Sequence, residues 1–367
     1  MLINIKQLKK KLKLPKLTRE ACHWLIISGA CLVAIIMILA FYFYTNKQTE
    51  IIWFGDKPVG VEQEEVVRLP VAFSHLTGIG VYEASEAIPE VLGIVIDNHW
   101  SSRPQSGLND AGVIYEVPVE GGITRFLAIF AKEKSVKAVG PIRSARPYFL
   151  DWLAEYDDPL FLHCGGSEEA LRLLKVYNVF DVNEFYFSEY FWRDKQKIAP
   201  HNLYTNSEDW QKIFVKYGDK HSGKNWEGWL FSEDKINGEA VKEINVKYTT
   251  DFKSGWKFDE VMGNYQRIFN DEVAKDSVDT SIVVDNIVIQ YMGVKVLDEV
   301  GRLKIYDIGT GDVLILRDGQ MVHGSWEKKS MSERTRFYNE VGEEIPLKPG
   351  RTWVMIVPDY LSAEVGV

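Results

Sequence analysis

The feature that most constrains this chain is a stretch of 26 residues, 21–46, that contains no Asp, Glu, Lys or Arg. Seven basic residues precede it within the first 19 positions. About 20 apolar residues are needed to cross a bilayer, whereas the apolar part of a secretory signal spans roughly 7–15. Residues 24–44 therefore predict an uncleaved membrane-spanning helix. The positive-inside rule predicts that residues 1–20 form a basic cytoplasmic tail and that everything after about residue 46 is exported.

A cleaved lipoprotein signal is the alternative anchor. Cys31 follows Ser28, Gly29 and Ala30, and small residues before a cysteine are what such processing requires. The apolar run continues through residue 39, however, whereas a lipoprotein cysteine normally closes it. The sequence therefore favours the spanning helix.

The rest of the chain has an excess of negative charge. There are 43 basic and 52 acidic residues, of which seven and one lie in the first 20 positions, so the remainder has a formal charge of −15. Such a surface disfavours nucleic acid as a partner. Cys164 is the one cysteine outside the anchor region, and the histidines form no H-E-x-x-H motif or i, i+4 pair. The sequence therefore predicts no intradomain disulfide, no metal site and no cofactor.

The exported part is long enough for two domains behind a linker. Buried-strand and helical patterns mix up to about residue 240, and short strands separated by turns dominate beyond it. We therefore expect a juxtamembrane linker over 47–80 and a mixed α/β (α+β) domain over 81–240. A smaller β-rich domain, built as a compact antiparallel sheet, is expected over 241–367.

Two strand-like runs flank a Glu-Gly-Gly turn at residues 120–122 and predict a β-hairpin. This register places Arg125 opposite Pro118, with Glu116 and Glu120 as its diagonal neighbours. A ladder of structural ion pairs and a ligand-binding role are both open for these charged residues.

Arg143 and Arg146 lie three residues apart at the predicted start of a helix, where they share one face. A basic pair at that position opposes the helix dipole, so an acidic group must neutralise it. Local carboxylates, for example Glu116, Glu120 or Asp151, are one candidate. The other is an anionic ligand such as a phosphate or a carboxylate, which arginine binds in bidentate fashion.

Two further strand-to-helix junctions carry polar residues. The first contains His163 and then Ser167, which predicts the N-cap of a helix and a turn whose free N–H groups favour anions. In the second, His201 and Asn202 lie just ahead of a helix predicted over 208–217. Ligand binding and a structural role in the loop are both open for these residues.

A set of motifs spread over residues 85–360 carries a family resemblance. The motifs are Arg103-Pro104-Gln105-Ser106-Gly107-Leu108, Tyr115-Glu116, Glu120-Gly121-Gly122-Ile123-Thr124-Arg125-Phe126, Gly140-Pro141-Ile142-Arg143-Ser144-Ala145-Arg146, Ala199-Pro200-His201-Asn202-x-Tyr204, Gly324-x-Trp326, Thr335-Arg336-Phe337-Tyr338 and Leu347-x-Pro349-Gly350-x-Thr352-Trp353. Together they resemble the YerB-like family of bacterial envelope proteins. The resemblance implies an N-terminal mixed α/β domain, a smaller C-terminal domain and a place at the bacterial cell membrane, and it implies no established activity. Relatives in this family are commonly lipoproteins, so the spanning helix predicted here changes the anchor and leaves the compartment unchanged.

Three classes of function are compatible with these residues. The leading hypothesis is a non-catalytic envelope protein that binds a partner protein or a cell-wall component through the face carrying Arg143, Arg146 and His201. The second is a metal-assisted transferase acting on phosphorylated or pyrophosphate-linked envelope intermediates. In it, Arg125, Arg143 and Arg146 clamp a pyrophosphate. One of Glu116, Glu120 and Asp97 then holds Mg²⁺ or acts as the base. The third is a hydrolase that uses His201 and a carboxylate. No catalytic residue is assigned, and the candidate ligand-binding residues are Arg103, Glu116, Glu120, Arg125, Arg143, Arg146, His163, Ser167, His201 and Asn202.

Overall fold

The computed structural model describes residues 37–39, 69–221, 223–277 and 279–366. The chain divides into two units, Met1–Val67 and Arg68–Val367, and the fold below is that of the second unit.

The predicted anchor falls almost entirely outside the described residues. Of the segment 24–44 the structure describes residues 37–39, which are helical, and the predicted linker is described from residue 69 onwards. Among the described residues, no helix is both long enough and apolar enough to cross a bilayer.

Three α-helices occur in the described part of the second unit: α1 (Pro147–Leu153), α2 (Glu168–Val176) and α3 (Ser207–Tyr217). Helix α2 begins as predicted, because the Ser167 side chain accepts a hydrogen bond from the amide of Ala170 at 3.3 Å. Helix α3 begins one residue earlier than predicted, with Asn206 as its N-cap.

Strands dominate the rest of the unit. Those of the first half are β1 (Ala72–Phe73), β2 (Gly80–Val81), β3 (Val91–Asp97), β4 (Val113–Pro118), β5 (Thr124–Ala131), β6 (Leu160–His163), β7 (Phe180–Asn183), β8 (Trp192–Arg193) and β9 (Leu203–Tyr204). Those of the second half are β10 (Glu239–Ala240), β11 (Glu243–Thr249), β12 (Phe252–Asp259), β13 (Asn264–Phe269), β14 (Glu272–Val273), β15 (Val283–Val284), β16 (Asn286–Met292), β17 (Val294–Val296), β18 (Leu303–Ile305), β19 (Gly309–Arg317), β20 (Gln320–Lys328), β21 (Arg336–Tyr338), β22 (Thr352–Pro358) and β23 (Ala363–Gly366).

One large sheet joins both halves of the unit. Its strand order is β10-β20-β19-β16-β22-β4-β5-β3-β6-β7, with β21 paired to β20. Strand β22 pairs in parallel with both β16 and β4, and β3, β6 and β7 form a second parallel group. The expectation that the second half forms one compact antiparallel sheet is therefore wrong. Strands β16 and β22 are almost continuously apolar because both of their faces are buried, which is typical of central parallel strands.

A second sheet covers part of the large one. Its order is β14-β13-β12-β11-β23, with β15 paired to β13, and all of its pairs are antiparallel. Trp256 of this sheet packs edge-on against Trp353 of β22, with ring centroids 5.0 Å apart. Trp210 of α3 belongs to the same core, whereas Phe149 and Trp152 of α1 belong to a separate core.

The hairpin of β4 and β5 has a different register from the predicted one. The turn is a short 3₁₀ segment, Glu120–Gly122, and Val119 and Ile123 also belong to the connection. Because this connection is longer than a two-residue turn, Arg125 lies opposite Val117 and not opposite Pro118. On the other side of β5, Arg125 lies opposite Asp97 of β3.

Candidate functional site

Polar side chains gather at one edge of the large sheet, where the parallel strands β3, β6 and β7 end. Strand β3 ends at Asp97, and the neighbouring strand β5 runs in the opposite direction and begins at Thr124, so Arg125 reaches the same edge. The carboxyl ends of parallel strands are where open α/β sheets bind ligands. We name the group formed by Asp97, Arg125, Arg143 and His201 the arginine–histidine cluster.

Asp97 is the centre of this cluster and is almost completely buried. Its Oδ2 accepts a hydrogen bond from His201 Nδ1 at 2.6 Å and lies 3.2 Å from Arg143 Nε. Its Oδ1 accepts a hydrogen bond from the backbone amide of His99 at 3.0 Å. Asp97, at the end of β3, is therefore the carboxylate that lies next to His201. Sequence patterns could not place it there.

Arg125 is a buried cation without a carboxylate partner among the described residues. It is 5 % exposed, and its one hydrogen bond there runs from Nη1 to the backbone oxygen of Ser144, at 2.8 Å. Its Nε is buried and donates to nothing in the described part of the chain. Burial, together with repulsion from Arg146, lowers the pKa of Arg125 to about 10, so it remains protonated at neutral pH.

Arg143 and Arg146 have different environments, although the sequence presents them as a pair. Arg146 forms a bidentate ion pair with Glu120, donating from Nε to Oε1 at 2.7 Å and from Nη2 to Oε2 at 2.8 Å. Burial alone would raise the pKa of Glu120, but its hydrogen bonds and charge interaction with Arg146 outweigh burial and hold that pKa low. Arg143 keeps 26 % of its side chain exposed, and its Nε, although close to Asp97, lacks hydrogen-bond geometry.

The expectation that these two arginines share a helical face is wrong. Helix α1 begins at Pro147, and Arg146 is its N-cap with extended dihedral angles of −129° and 153°. The proline ring drives the residue before it out of the helical region, so the helix cannot extend back through Arg146. Arg143 lies in the non-helical segment that precedes the helix.

Asn202 and Ser167, two further candidates, hold backbone in place. The Asn202 amide donates to the backbone oxygens of Asp194 and Lys197, at 3.2 and 3.4 Å, and its Oδ1 accepts a hydrogen bond from Arg193 at 3.1 Å. Ser167 caps α2 as described above. Asn202 thus shapes the loop that carries His201.

His163 lies at the end of β6 but is completely buried. One ring nitrogen contacts the backbone oxygen of Gly165 at 2.7 Å and the other contacts Asp181. Its neighbour Cys164 contacts Glu184, and burial followed by that negative charge raises the pKa of the thiol. Both side chains therefore have roles in packing, and the thiol is not activated.

Glu116 forms a buried ion pair with an arginine that the sequence did not point to, Arg267 of β13. Both side chains have no exposed surface, and each oxygen of Glu116 accepts one hydrogen bond from Arg267 at 3.0 Å. Ser254 and Trp353 donate to the same carboxylate, each at 3.0 Å. Glu116 therefore fastens the second sheet to the large one.

Arg103 lies beside this pair, with its guanidinium carbon 3.3 Å from the ring centroid of Phe269, and it donates to the Asn98 side chain. Burial, and then repulsion from Arg267, lowers the pKa of Arg103 to about 9. The structure thus separates the ten candidates into the arginine–histidine cluster and groups that bind other parts of the protein. Across the described ranges, no group of three or more His, Cys, Asp and Glu side chains is arranged to hold a metal ion.

Sequence reasoning missed an aromatic extension of the cluster. The ring of His99 stacks on His201, with centroids 4.7 Å apart and planes 12° apart. It also contacts the ring of Trp100, with centroids 4.0 Å apart and planes tilted by 39°. Burial, and then the adjacent His201, lowers the pKa of His99 below its usual value. The signal was present, because Asn98, His99 and Trp100 directly follow the buried strand β3.

Comparison with known proteins places this architecture in a family. Residues 76–220 match the N-terminal domain of DUF3048, a family described as protein of unknown function, and residues 244–354 match its C-terminal domain. The chain belongs to the DUF3048 family.

Relatives of this DUF3048 protein confirm the resemblance to the YerB-like family. The chain is 30 % identical over 279 residues to a Bacillus subtilis (strain 168) protein named "Putative lipoprotein YerB", which spans 75 % of this chain and 83 % of that protein. The crystal structure of the YerB protein from Bacillus subtilis superposes with a TM-score of 0.72 at 29 % identity, covering 80 % of this chain and 99 % of that one.

Proposed function

We propose that this DUF3048 protein is an extracytoplasmic protein of the bacterial cell envelope that binds an anionic group, on a partner protein or a cell-wall component, through its arginine–histidine cluster. The charge-free segment 21–46 behind a basic tail supports a membrane anchor. The name of its YerB relative, a putative lipoprotein, supports the same compartment.

The observation that carries the anion site is the environment of Arg125. A cation buried to this degree is normally paired with a carboxylate, because removing a charge from water without compensation costs several kcal/mol. Arg125 has a single neutral acceptor among the described residues. An anion bound at the surface beside Arg125 and Arg143 would supply the missing negative charge.

The charges around the cluster leave a local positive excess. Arg146 is balanced by Glu120, and Asp97 can balance only one of Arg125 and Arg143. This excess occurs on a polypeptide whose formal charge is −9 overall. Positive charge confined to one site on a negatively charged protein supports selective binding of a single anionic group there, and not general attraction to polyanions.

The hydrolase hypothesis also gains one observation, the 2.6 Å contact between Asp97 Oδ2 and His201 Nδ1. A carboxylate bound to one imidazole nitrogen orients the ring and supports the other nitrogen as a general base. Release of product from cell-wall fragments by the wild-type chain but not by His201→Gln would support this second function, and no turnover by the wild type would contradict it.

The transferase hypothesis is less well supported. Glu116 and Glu120, two of the carboxylates that it would assign to Mg²⁺, are occupied by Arg267 and Arg146. Their oxygens already accept strong hydrogen bonds, so metal binding there would first have to break ion pairs.

The anion site is tested by calorimetric titration of the full-length chain with sodium pyrophosphate at constant ionic strength. We expect Arg143→Gln to weaken binding at least tenfold. The matched control is Arg336→Gln, because Arg336 has a similar side-chain exposure of 21 % but is paired with Glu227 and Glu344. The proposal would be overturned if both substitutions weakened pyrophosphate binding equally. It would also be overturned if the wild type bound neither pyrophosphate nor acetate.

The anchor is tested separately by replacing Cys31 with serine and labelling cells with a lipid precursor. A spanning helix predicts that Cys31→Ser leaves the protein in the membrane fraction at full length. Loss of a lipid label and release of the protein would instead assign a lipoprotein anchor to this chain.

A further inference from the structure

We propose that Trp100 and His99 extend the arginine–histidine cluster into an aromatic platform, and that the combined site binds a pyranose sugar bearing an acidic substituent. This inference rests on the proposed anion site. It adds that the bound anionic group is a substituent of a sugar ring.

The platform consists of three rings in successive contact, Trp100, His99 and His201, which lead from the surface to the buried carboxylate of Asp97. Trp100 contacts His99 at a centroid distance of 4.0 Å, and His99 lies on His201 at 4.7 Å. His201 is bound to Asp97, which in turn lies beside Arg143. The aromatic surface and the arginine–histidine cluster therefore belong to one contiguous group.

Trp100 is exposed to a degree that packing does not explain. Its relative exposure is 59 %, whereas Trp152, Trp210, Trp256 and Trp353 have no exposed surface. An indole commonly buries most of its large area in a fold, so an indole held in solvent beside a charged site indicates a contact surface for something outside the chain.

The platform is held rigidly. Trp100–Ser102 form a 3₁₀ turn, and the Ser102 hydroxyl donates to the backbone oxygen of His99 at 2.6 Å. From the opposite loop, Lys197 Nζ donates to the backbone oxygens of Ser102 and Pro104, at 3.0 and 2.6 Å. A surface that is fixed before binding loses little entropy when a ligand stacks on it.

The spacing favours a small rigid ligand that is apolar on one face and acidic at one end. Trp100 is three residues from Asp97, so their Cα atoms are at most about 11 Å apart. A pyranose ring presents a flat face of C–H groups to an indole, and a carboxylate or phosphate on the same ring can reach the guanidinium of Arg143. A glutamate side chain of a partner protein offers the acid but no ring.

The experiment measures affinities of the full-length chain for glucuronic acid, glucose 1-phosphate, glucose, acetate, inorganic phosphate and N-acetylglutamate. We expect glucuronic acid to bind roughly 3- to 10-fold more tightly than acetate, comparable to what a contact between two aromatic rings contributes. If glucose 1-phosphate gains a similar advantage over inorganic phosphate while glucuronic acid gains none over acetate, the acidic substituent is a phosphate. Trp100→Ala should remove this advantage and leave acetate and phosphate affinity unchanged, since the side chain lies largely in solvent.

The control variant is Tyr360→Ala, which removes an aromatic ring of comparable exposure, 70 %, that follows β22. It should change none of the affinities. If the acidic sugars bind no better than the simple anions, or Trp100→Ala has no effect, the sugar inference fails and the anion site stands. Tighter binding of N-acetylglutamate than of either acidic sugar would overturn the inference in favour of a protein partner. If no anion binds at all, the proposed function itself fails.

Discussion

Replacing Glu116 by glutamine tests the buried ion pair that joins the two sheets. The carboxylate accepts six hydrogen bonds, three on each oxygen, so it has no free acceptor site. The donors are Arg267 Nη1 and Nη2, Ser254 Oγ, Trp353 Nε1, Thr124 Oγ1 and, at 3.4 Å, Asn98 Nδ2. Glutamine keeps the shape of the side chain but turns one oxygen into an NH₂ group. That group would face three donors, and Arg267 would be left as an uncompensated buried charge.

We expect Glu116→Gln to lower the free energy of unfolding by about 3–5 kcal/mol, the range for stranding one partner of a buried ion pair. This is a large part of the roughly 5–15 kcal/mol that stabilises a typical domain. The positive charge of Arg103 also repels Arg267, and the carboxylate of Glu116 offsets this repulsion. Adding Arg267→Met to Glu116→Gln should recover part of the loss, because the stranded charge is then removed.

The assay is urea unfolding followed by tryptophan fluorescence at pH 7 and again at pH 3. Burial alone would raise the pKa of Glu116, but the charge and hydrogen bonds of Arg267 outweigh it and hold the pKa below its usual value. The ion pair therefore stabilises the fold above the unfolded pKa of about 4.3, and this contribution is lost as the pH falls through the folded pKa. The difference between wild type and variant should shrink at pH 3. A loss below 1 kcal/mol at pH 7, or no rescue by Arg267→Met, would refute this account of the pair.

Three further predictions concern other sites. Gly140→Ala should destabilise the fold by roughly 1–3 kcal/mol in thermal unfolding, because the φ of Gly140 is 153° and a Cβ there would lie 2.6 Å from the backbone oxygen of Leu203; an unchanged melting temperature would contradict this. Burial, and then the charge of Asp307, raises the pKa of Asp151 to about 7, so its stabilising contribution is lost as the pH rises from about 4 towards 7. Asp151→Asn should therefore be more stable than the wild type at pH 8, by roughly 1–2 kcal/mol, and the same pH profile in both proteins would refute the assignment. Cys164 should react with iodoacetamide at pH 8 more slowly than free cysteine, because its thiol pKa is raised; an equal rate would show an open, ionised thiol.

Local patterns predicted the elements whose signals lie within a few residues. The apolar run before Asp97 is strand β3, and Ser167 caps α2. Both could be predicted because burial patterns and helix capping depend on residues that are close in sequence. The register of β4 and β5 was wrong by one residue because the length of the connection, not the glycines alone, sets which residues face each other.

Partners that are distant in sequence could not be predicted. Asp97 meets His201 across 104 positions, and Glu116 meets Arg267 across 151. The candidate residues were chosen from charged motifs, yet whether each arginine binds a carboxylate depends on the sheet order, which those motifs do not reveal. Strand pairs in the second sheet were overlooked although Trp256 and Phe258 alternate with lysine in β12, which is a period-two signal.

The most direct test of the anion site follows the arginine side chains themselves. Nitrogen-15 spectra of the guanidinium groups are recorded for the full-length chain while sodium pyrophosphate is added, with Arg143→Gln and Arg125→Lys assigning the resonances. The account predicts that the Nε signals of Arg125 and Arg143 shift with a common dissociation constant while those of Arg146 and Arg336 stay in place. Unchanged signals at Arg125 and Arg143, or equal shifts at all four arginines, would contradict it.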